Sequence, residues 1–192
     1  MTRTEIINYL IKENNYSSYL ELGCQNDVNF KAIDLRFKIG VDPVSGGTHR
    51  MTSDEFFKDS DMTFDLIFID GLHETAQVDK DITNSLKLLS PNGIIVLHDC
   101  NPIKKEHQEV PRISKHWNGD VWKSIIKFQL HHTNYQVHVV DTDEGIGLIT
   151  KLSNGNYESL LVSDDLLIYE NLETHRQLWL NLITVEEFKK LY

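Results

Sequence analysis

The chain has 192 residues, a size typical of one domain. Hydrophobic residues make up 40% of the sequence and charged residues 25%, which supports a sizeable core and argues against a largely disordered chain. The formal net charge of -10 argues against a nucleic-acid backbone as the main partner, because that kind of binding needs a basic face.

Cysteine content and hydropathy bear on the compartment. Cys24 and Cys100 are too few for a disulfide scaffold, so we expect a reducing compartment and two inert, buried thiols. No signal-peptide pattern follows Met1, and apolar stretches such as residues 94–97 are too short to span a bilayer. The sequence therefore predicts a cytoplasmic protein with no membrane partner.

Short apolar strands alternate with helical patterns over the first hundred residues. Thr2 and Glu5 have the spacing of a capping box and begin the first predicted helix. Strands are predicted at 19–22, 37–41, 65–69 and 94–97, with a short edge strand at 48–52. Further helices are predicted at 28–35, after a cap at Ser53, and between His73 and Ser90.

The second half of the chain has a different pattern. Residues 100–119 form a long polar connection, typical of a lid or a binding segment, and Asp120 is predicted to cap the next helix. The short connection between strands at 135–140 and 146–150 implies an antiparallel hairpin. The tail, 155–192, is predicted to be helical, with a helix near 171–182. It is expected to serve packing or dimerisation, which leaves a homodimer open.

This order of elements predicts an α/β fold. We expect a Rossmann-like doubly wound, mostly parallel sheet with a C-terminal antiparallel hairpin strand and helices on both faces. The prediction is one domain over 1–192, with its core at about 16–150. Ligands of such sheets bind at the carboxyl ends of the strands, where acidic residues stand in this sequence. These residues are Glu21, Asp42, Asp70 and Asp99.

The first two strand ends suit a nucleoside. Gly23 permits a close turn, and Asp42 follows it by 19 positions, where a carboxylate can accept both ribose hydroxyls. The dinucleotide fingerprint G-x-G-x-x-G fails, because Gln25, Asn26 and the charged Asp27 follow Gly23. A dinucleotide is therefore disfavoured, and a smaller nucleoside without phosphates fits better. The alternative for Asp42 is a cap on the turn that follows it.

Four segments carry a resemblance to a known family. They read ELG at 21–23, VDP at 41–43, FDLIFIDGLH at 64–73 and LSPNGIIVLHD at 89–99. The series resembles the class I S-adenosylmethionine-dependent methyltransferases, and within them a small bacterial group with the motif I-D-G-x-H. The resemblance covers roughly residues 16–150, and the 135–150 hairpin is similar to the reversed terminal strand of that fold.

The resemblance implies S-adenosylmethionine as the cofactor. Glu21 and Gly23 match the start of the loop that holds the methionine end, and Asp42 matches the ribose-binding acid. Thr52 and Ser53 fall where the family often contacts adenine. The predicted cofactor-binding residues are Glu21, Gly23, Gln25, Asn26, Asp42, Pro43 and Ser53. The chain departs from the family at Asp27, where a glycine is common.

Asp70 and Asp99 match positions that face the methyl acceptor in this family, and they hold a divalent cation such as Mg²⁺ in metal-dependent relatives. Asp70, His73 and Asp99 are the predicted catalytic residues, and Asp70 and Asp99 are also predicted metal ligands. His73 or His98 can act as the base, or a hard cation can lower the pKa of the acceptor. Strand alternation predicts that His98 and Asp99 point to opposite faces. Cys100 stands where metal-dependent relatives often carry Asn or Asp.

Three functions follow from these observations. The leading hypothesis is methyl transfer from S-adenosylmethionine to a small-molecule acceptor, with oxygen as the expected acceptor atom. One alternative is a metal-dependent enzyme of hydrolytic type, with ligands drawn from Asp42, His49, Asp70, His73, His98 and Asp99. Another is a catalytically degenerate cofactor-binding domain, for which Asp27 is the main support. Trp117 and Trp122 follow the long connection and are predicted either to line the acceptor pocket or to pack in the core.

Overall fold

A computed structural model describes residues 1–152 and 162–192. Within these ranges the strands are β1 (Ser18–Leu22), β2 (Phe37–Val41), β3 (Phe64–Ile69), β4 (Leu89–Leu97), β5 (Tyr135–Val140), β6 (Ile146–Lys151) and β7 (Leu182–Ile183). The α-helices of the same ranges are α1 (Arg3–Asn14), α2 (Val28–Ala32), α3 (Ser53–Asp59), α4 (Thr75–Leu88), α5 (Lys105–Gln108), α6 (Val121–His131), α7 (Tyr169–Trp179) and α8 (Val185–Leu191).

The strands form one mixed sheet in the order β2-β1-β3-β4-β6-β5-β7. The first four strands of this order run parallel, whereas β6 is antiparallel to both β4 and β5. The predicted fold class is therefore confirmed, including the antiparallel hairpin strand. The parallel register pairs Leu22 with Val41 and Ile69, and Ile69 with Leu97, so the four parallel strands end at one edge.

Helices cover both faces of the sheet, as the alternation within β3 shows. Ile67 and Ile69 belong to one hydrophobic cluster, together with the apolar sides of α4 and α6. Leu66 and Phe68 belong to the other cluster, against α1 and α8. Each fully buried side chain of this size contributes about 1.5 to 3 kcal/mol of transfer free energy. This double burial explains why the strands are apolar along their whole length.

Local chemistry shifts several predicted boundaries. The helix predicted at 28–35 ends at Ala32, because the Lys38 ammonium group takes the carbonyls of Phe30 and Ile33 at 2.8 and 2.7 Å. The edge strand predicted at 48–52 is absent, and only a bridge between Val41 and His49 remains. Strand β4 begins at Leu89 rather than residue 94, because Leu89 already pairs with Phe64 across a register shift.

The capping box predicted at Thr2 is confirmed, and a second one, formed by Thr184 and Glu187, begins α8. In the third helix, however, Thr52 and not Ser53 is the cap. Asp120 occupies the predicted N-cap position of α6, but its side chain makes no capping hydrogen bond there, since its carboxylate accepts the backbone N–H of Thr75, the first residue of α4, at 2.7 Å. The predicted cap position of α6 is therefore confirmed, whereas the Asp120 carboxylate satisfies an N–H group of α4 instead.

The tail packs on the same chain. Trp179 and Phe188 are buried, and β7, which the sequence analysis did not predict, pairs with β5. The helix predicted near 171–182 is α7 at Tyr169–Trp179, and residues 155–161 of the predicted tail lie outside the described residues. Among the described helices, none combines the length and apolarity needed to cross a membrane.

Candidate active site

A cavity of about 1240 Å³ opens at the carboxyl ends of the parallel strands. All ten predicted cofactor-binding and catalytic residues line it: Glu21, Gly23, Gln25, Asn26, Asp42, Pro43, Ser53, Asp70, His73 and Asp99. The aligned strand ends explain this convergence, because the residues that follow β1, β2, β3 and β4 emerge at the same edge. The sequence therefore located the crevice.

The turn after β1, residues 23–27, requires an unusual backbone. Gly23 has φ +89°, and a Cβ atom at this position would lie 2.1 Å from the backbone oxygen of Asp70. Gln25 and Asp27 also have positive φ, at +47° and +64°. Only glycine fits at the first of these positions, and the close approach packs the turn directly against the end of β3.

Asp42 organises this turn. Its Oδ2 atom accepts the backbone N–H groups of Cys24 and Gln25 at 3.1 and 2.9 Å, and its Oδ1 atom accepts those of Val44 and Ser45, both at 2.8 Å. Burial disfavours the charged form, but these backbone hydrogen bonds outweigh it and lower the pKa of Asp42. The turn-capping alternative for Asp42 is thus present in the structure, while the ribose contact remains a prediction.

Glu21 lies one residue before the end of β1 and is only 1% exposed. Its Oε2 atom accepts hydrogen bonds from the Tyr19 hydroxyl at 2.5 Å and from the Asn29 amide at 2.9 Å. Burial raises the pKa of Glu21 to about 7, although the two hydrogen bonds act in the opposite direction. A carboxyl with this pKa changes its charge near neutrality, at the wall of the cavity.

Asp27, the residue that departs from the family pattern, has a structural role. It takes the left-handed conformation that glycine favours, and its Oδ1 atom accepts the backbone N–H of Gly47 at 2.6 Å. Its Oδ2 atom lies 3.3 Å from the Lys31 ammonium group. The Asp27 carboxylate thereby connects the turn after β1 to the loop that follows β2, in which Gly47 lies.

The predicted adenine region lies between α3 and α4. Thr52 and Ser53 both line the cavity, beside Gln77 and Asp81, which the sequence analysis did not single out. The Gln77 amide donates to Ser53 Oγ at 3.2 Å and to Asp81 Oδ1 at 3.1 Å. Helical periodicity assigned the apolar face of α4 but gave no signal for these polar residues on its other side.

Asp70, His73, His98 and Asp99 form the acceptor cluster. Asp70 Oδ1 lies 3.0 Å from His73 Nε2 and 3.3 Å from His98 Nδ1. Asp99 Oδ2 lies 2.8 Å from His98 Nδ1 and 3.2 Å from His73 Nδ1, though the second approach lacks hydrogen-bond geometry. His73 Nδ1 is therefore a buried polar atom without a hydrogen-bond partner.

The prediction that His98 and Asp99 point to opposite faces is wrong. The strand ends at Leu97, and Asp99 has φ +61°, which turns its side chain back toward His98. Both residues line the cavity and touch one another. Strand alternation applies only within regular extended backbone, and this pair lies just beyond it.

The histidines of the acceptor cluster are held in a charged environment. Burial opposes a charge on His98, but the surrounding carboxylates outweigh burial and raise its pKa to about 11. His73 shows the same balance, with burial opposed by Asp70 and Asp99, and its pKa is also raised. For Asp70, burial favours the neutral form, yet the two histidines hold its pKa well below its usual range.

Three polar residues complete the acceptor cluster, and the sequence analysis missed all of them. Arg3 Nη1 donates to Asp70 Oδ2 at 2.8 Å, and Asn118 Nδ2 donates to Asp99 Oδ1 at 2.7 Å. Asp143, in the β5–β6 connection, accepts from Arg3. No motif marked these positions, because they reach the strand ends from elements distant in sequence.

The long connection covers the acceptor cluster from one side. Trp117 stacks on His73 with ring centroids 5.4 Å apart and an interplanar angle of 21°. The Arg112 guanidinium lies 5.6 Å from the Trp117 ring. Trp117 lines the cavity, whereas Trp122 is fully buried in the core. The sequence allowed a pocket or a packing role for both, and each residue takes a different one of the two.

The divalent cation that metal-dependent relatives imply can be tested against these contacts. Among the described residues, Asp70, His73 and Asp99 each offer a ligand atom, and these atoms lie within 4.8 Å of one another. In this arrangement, however, every carboxylate oxygen of Asp70 and Asp99 already contacts a nitrogen of Arg3, His73, His98 or Asn118. The residues present therefore do not fit a metal ion while these contacts persist.

Cys100 supplies no further ligand. Its side chain is fully buried, and its sulfur lies 3.5 Å from the His98 carbonyl and packs against Gly147, within the hydrophobic core. Cys24 is also buried, and both thiols are free, as expected. The wider ligand set of the hydrolytic alternative does not assemble either, since His49 packs edge-on against Phe56.

Comparisons with known proteins agree with this geometry. A family model described as a methyltransferase domain matches residues 20–100, which contain β2, β3, β4, most of β1 and the acidic residues at the ends of these strands. A search of curated proteins finds no match to the sequence.

Solved structures give a consistent result for the fold. A provisionally assigned O-methyltransferase from Klebsiella pneumoniae is 12% identical, with 79% of this chain and 80% of that chain covered and a TM-score of 0.61. The methyltransferase PaMTH1 from Podospora anserina, solved with S-adenosylhomocysteine, is 16% identical, with 78% of this chain and 77% of that chain covered and a TM-score of 0.58. MycE of the mycinamycin biosynthetic pathway, solved with Mg, S-adenosylhomocysteine and mycinamycin VI, is 15% identical, with 81% of this chain and 51% of that chain covered and a TM-score of 0.52. Over residues 20–100 the chain is therefore similar to a methyltransferase domain, and its fold is similar to that of these methyltransferases.

Proposed function

We propose that this chain transfers the methyl group of S-adenosylmethionine to an oxygen atom of a small molecule. The observation that carries the proposal is a single crevice in which the turn at Gly23 faces the acceptor cluster. The complexes of PaMTH1 and MycE with S-adenosylhomocysteine support the same cofactor for this chain, and the mycinamycin VI in MycE supports a small-molecule acceptor.

The charge of the crevice suits this cofactor. S-adenosylmethionine carries a sulfonium cation and no phosphate, and acidic walls favour such a ligand electrostatically. Glu21 and Asp42 stand on the cofactor side of the crevice, and both are carboxylates or become so near neutral pH. We assign Glu21 to the methionine end and Asp42 to the ribose, where the ribose hydroxyls must share oxygens with the backbone N–H donors.

Methyl transfer is an in-line displacement. The bond from the methyl carbon to sulfur breaks as the bond to the acceptor oxygen forms, and the sulfur keeps the electron pair, which gives S-adenosylhomocysteine. Positioning of the two reactants supplies much of the rate enhancement. The acceptor hydroxyl must also lose its proton, so a base has to lie beside it.

We assign this base to His73. Its imidazole lines the cavity with 20% of the side chain exposed, and its Nδ1 atom has no hydrogen-bond partner, whereas His98 is only 4% exposed and enclosed by carboxylates. A bound sulfonium cation disfavours a second positive charge nearby and so lowers the pKa of His73 toward the value that a base needs. Asp70 and Asp99 fix the orientation of the ring.

The test is turnover with labelled cofactor. The protein is incubated with methyl-labelled S-adenosylmethionine and a filtered small-molecule cell extract, and the label is followed into an O-methyl product by mass spectrometry. We expect His73→Asn to lower the rate by about 10²- to 10⁴-fold, the usual contribution of a general base. His131→Asn, at an exposed histidine outside the cavity, is the matched control. A labelled N-methyl or S-methyl product would contradict the assignment of oxygen.

A further inference from the structure

Arg3, the first residue of α1, reaches into the acceptor cluster and is held from two sides. Its Nη1 atom donates to Asp70 Oδ2 at 2.8 Å and lies 3.1 Å from His98 Nδ1. Its backbone N–H and its Nε atom both donate to Asp143 Oδ2, at 2.5 and 3.2 Å. The guanidinium therefore lies in a fixed place between two carboxylates.

This position is costly unless the contacts offset it. A positive side chain in the first turn of a helix lies at the positive end of the helix dipole, where cations are disfavoured. Only 30% of the Arg3 side chain remains exposed, so its charge is also partly desolvated. Asp143 offsets both effects, because its carboxylate places a negative charge at the start of α1 and forms an ion pair with the Arg3 side chain.

The contacts of Arg3 fall where a metal ion would need access. Asp70 would have to turn an oxygen toward the ion, yet Oδ2 is bonded to Arg3 and Oδ1 contacts His73 and His98. The neighbouring Cys100 is directed into the core and offers no replacement ligand. A second cation beside Arg3 would also meet a like charge.

We propose that Arg3 is a resident cation of the acceptor cluster, so that its guanidinium occupies the side of Asp70 that a divalent ion would otherwise take. Arg3 is then a positioning residue, which fixes the Asp70 carboxylate and through it the His73 ring. The inference concerns cation binding and does not depend on turnover.

Mn²⁺ binding provides the test, because the free ion has an electron paramagnetic resonance signal that disappears on binding. We expect the wild-type protein to leave the signal unchanged at millimolar Mn²⁺. Arg3→Gln removes the charge, and we expect it to increase Mn²⁺ affinity by about tenfold or more, within the usual range of coupling between two ligands. Adding Asp70→Asn to that variant should abolish the gain.

Two further variants keep the test decisive. Arg3→Lys retains a cation, so it should bind Mn²⁺ no better than the wild type, and it serves if Arg3→Gln does not fold. Arg36→Ala removes an exposed arginine outside the cavity and should change nothing. The proposal is overturned if the wild type binds Mn²⁺ as tightly as Arg3→Gln, or if folded Arg3→Gln fails to bind it.

Discussion

Removing the charge of Glu21 should stabilise the protein, and only at neutral and alkaline pH. Glu21→Gln is nearly isosteric, and both hydrogen bonds to the side chain, from Tyr19 and Asn29, go to a single oxygen. The amide oxygen of glutamine can accept both of them. The substitution therefore isolates the cost of ionising a buried carboxyl.

The magnitude follows from the pKa of Glu21, which burial raises from 4.5 to about 7. Each pKa unit corresponds to about 1.4 kcal/mol, so ionisation costs the folded state about 3 kcal/mol relative to the unfolded chain. Because the folded-state pKa is the higher of the two, this penalty is absent below about pH 4. It grows as the pH rises from there and is complete above about pH 7.

Denaturant unfolding at pH 4 and pH 8 measures the effect. At pH 8 we expect Glu21→Gln to exceed the wild type in free energy of unfolding by up to about 3 kcal/mol, and at pH 4 the two should agree. Glu186→Gln, at an exposed glutamate, is the control and should show no such pH dependence. A difference of the same size at both pH values, or a less stable variant at pH 8, would refute the reasoning.

Substitutions at three further positions test the crevice. Gly23→Ala should lower the free energy of unfolding by about 3 kcal/mol or more in denaturant unfolding, because its Cβ would meet Asp70 and its φ is positive; a neutral effect would show that the turn is not tight. Asp27→Ala should cost about 1 to 2 kcal/mol and Asp27→Gly less, with S-adenosylhomocysteine affinity by calorimetry within about threefold of the wild type in the glycine variant. A large gain in that affinity would instead favour a degenerate cofactor-binding domain. Trp117→Ala should leave the same affinity unchanged and lower turnover of labelled cofactor by about tenfold or more, because it frees the His73 ring; equal turnover would remove Trp117 from the site.

The fold and the crevice could be predicted because they depend on local and repeated signals. The strand at 65–69 is apolar on both faces, and such strands alternating with helical periodicity specify a covered parallel sheet. Once the sheet is parallel, its strands must end at one edge, so Asp42, Asp70 and Asp99 had to line the same crevice. The resemblance in the same segments predicted a methyltransferase, and a family model of a methyltransferase domain matches residues 20–100.

The details that failed depend on backbone breaks and on contacts between distant segments. The side chain of Asp99 turns toward His98 because of its positive φ, which alternation along a strand does not reveal. Arg3 and Asn118 join the cluster from 67 and 19 positions away from their carboxylate partners. In the sequence, Arg3 is one basic residue in a helix start, and only the packing of α1 against the strand ends gives it a place in the site.

Calorimetric titration with S-adenosylhomocysteine tests the central claim most directly, because it needs no knowledge of the acceptor. We predict binding at one site per chain, competition by S-adenosylmethionine, and no heat from nicotinamide adenine dinucleotide, whose pyrophosphate would meet the side chains of Gln25 and Asn26 where the fingerprint has glycines. Absence of binding at millimolar S-adenosylhomocysteine, or binding of the dinucleotide in its place, would contradict the account.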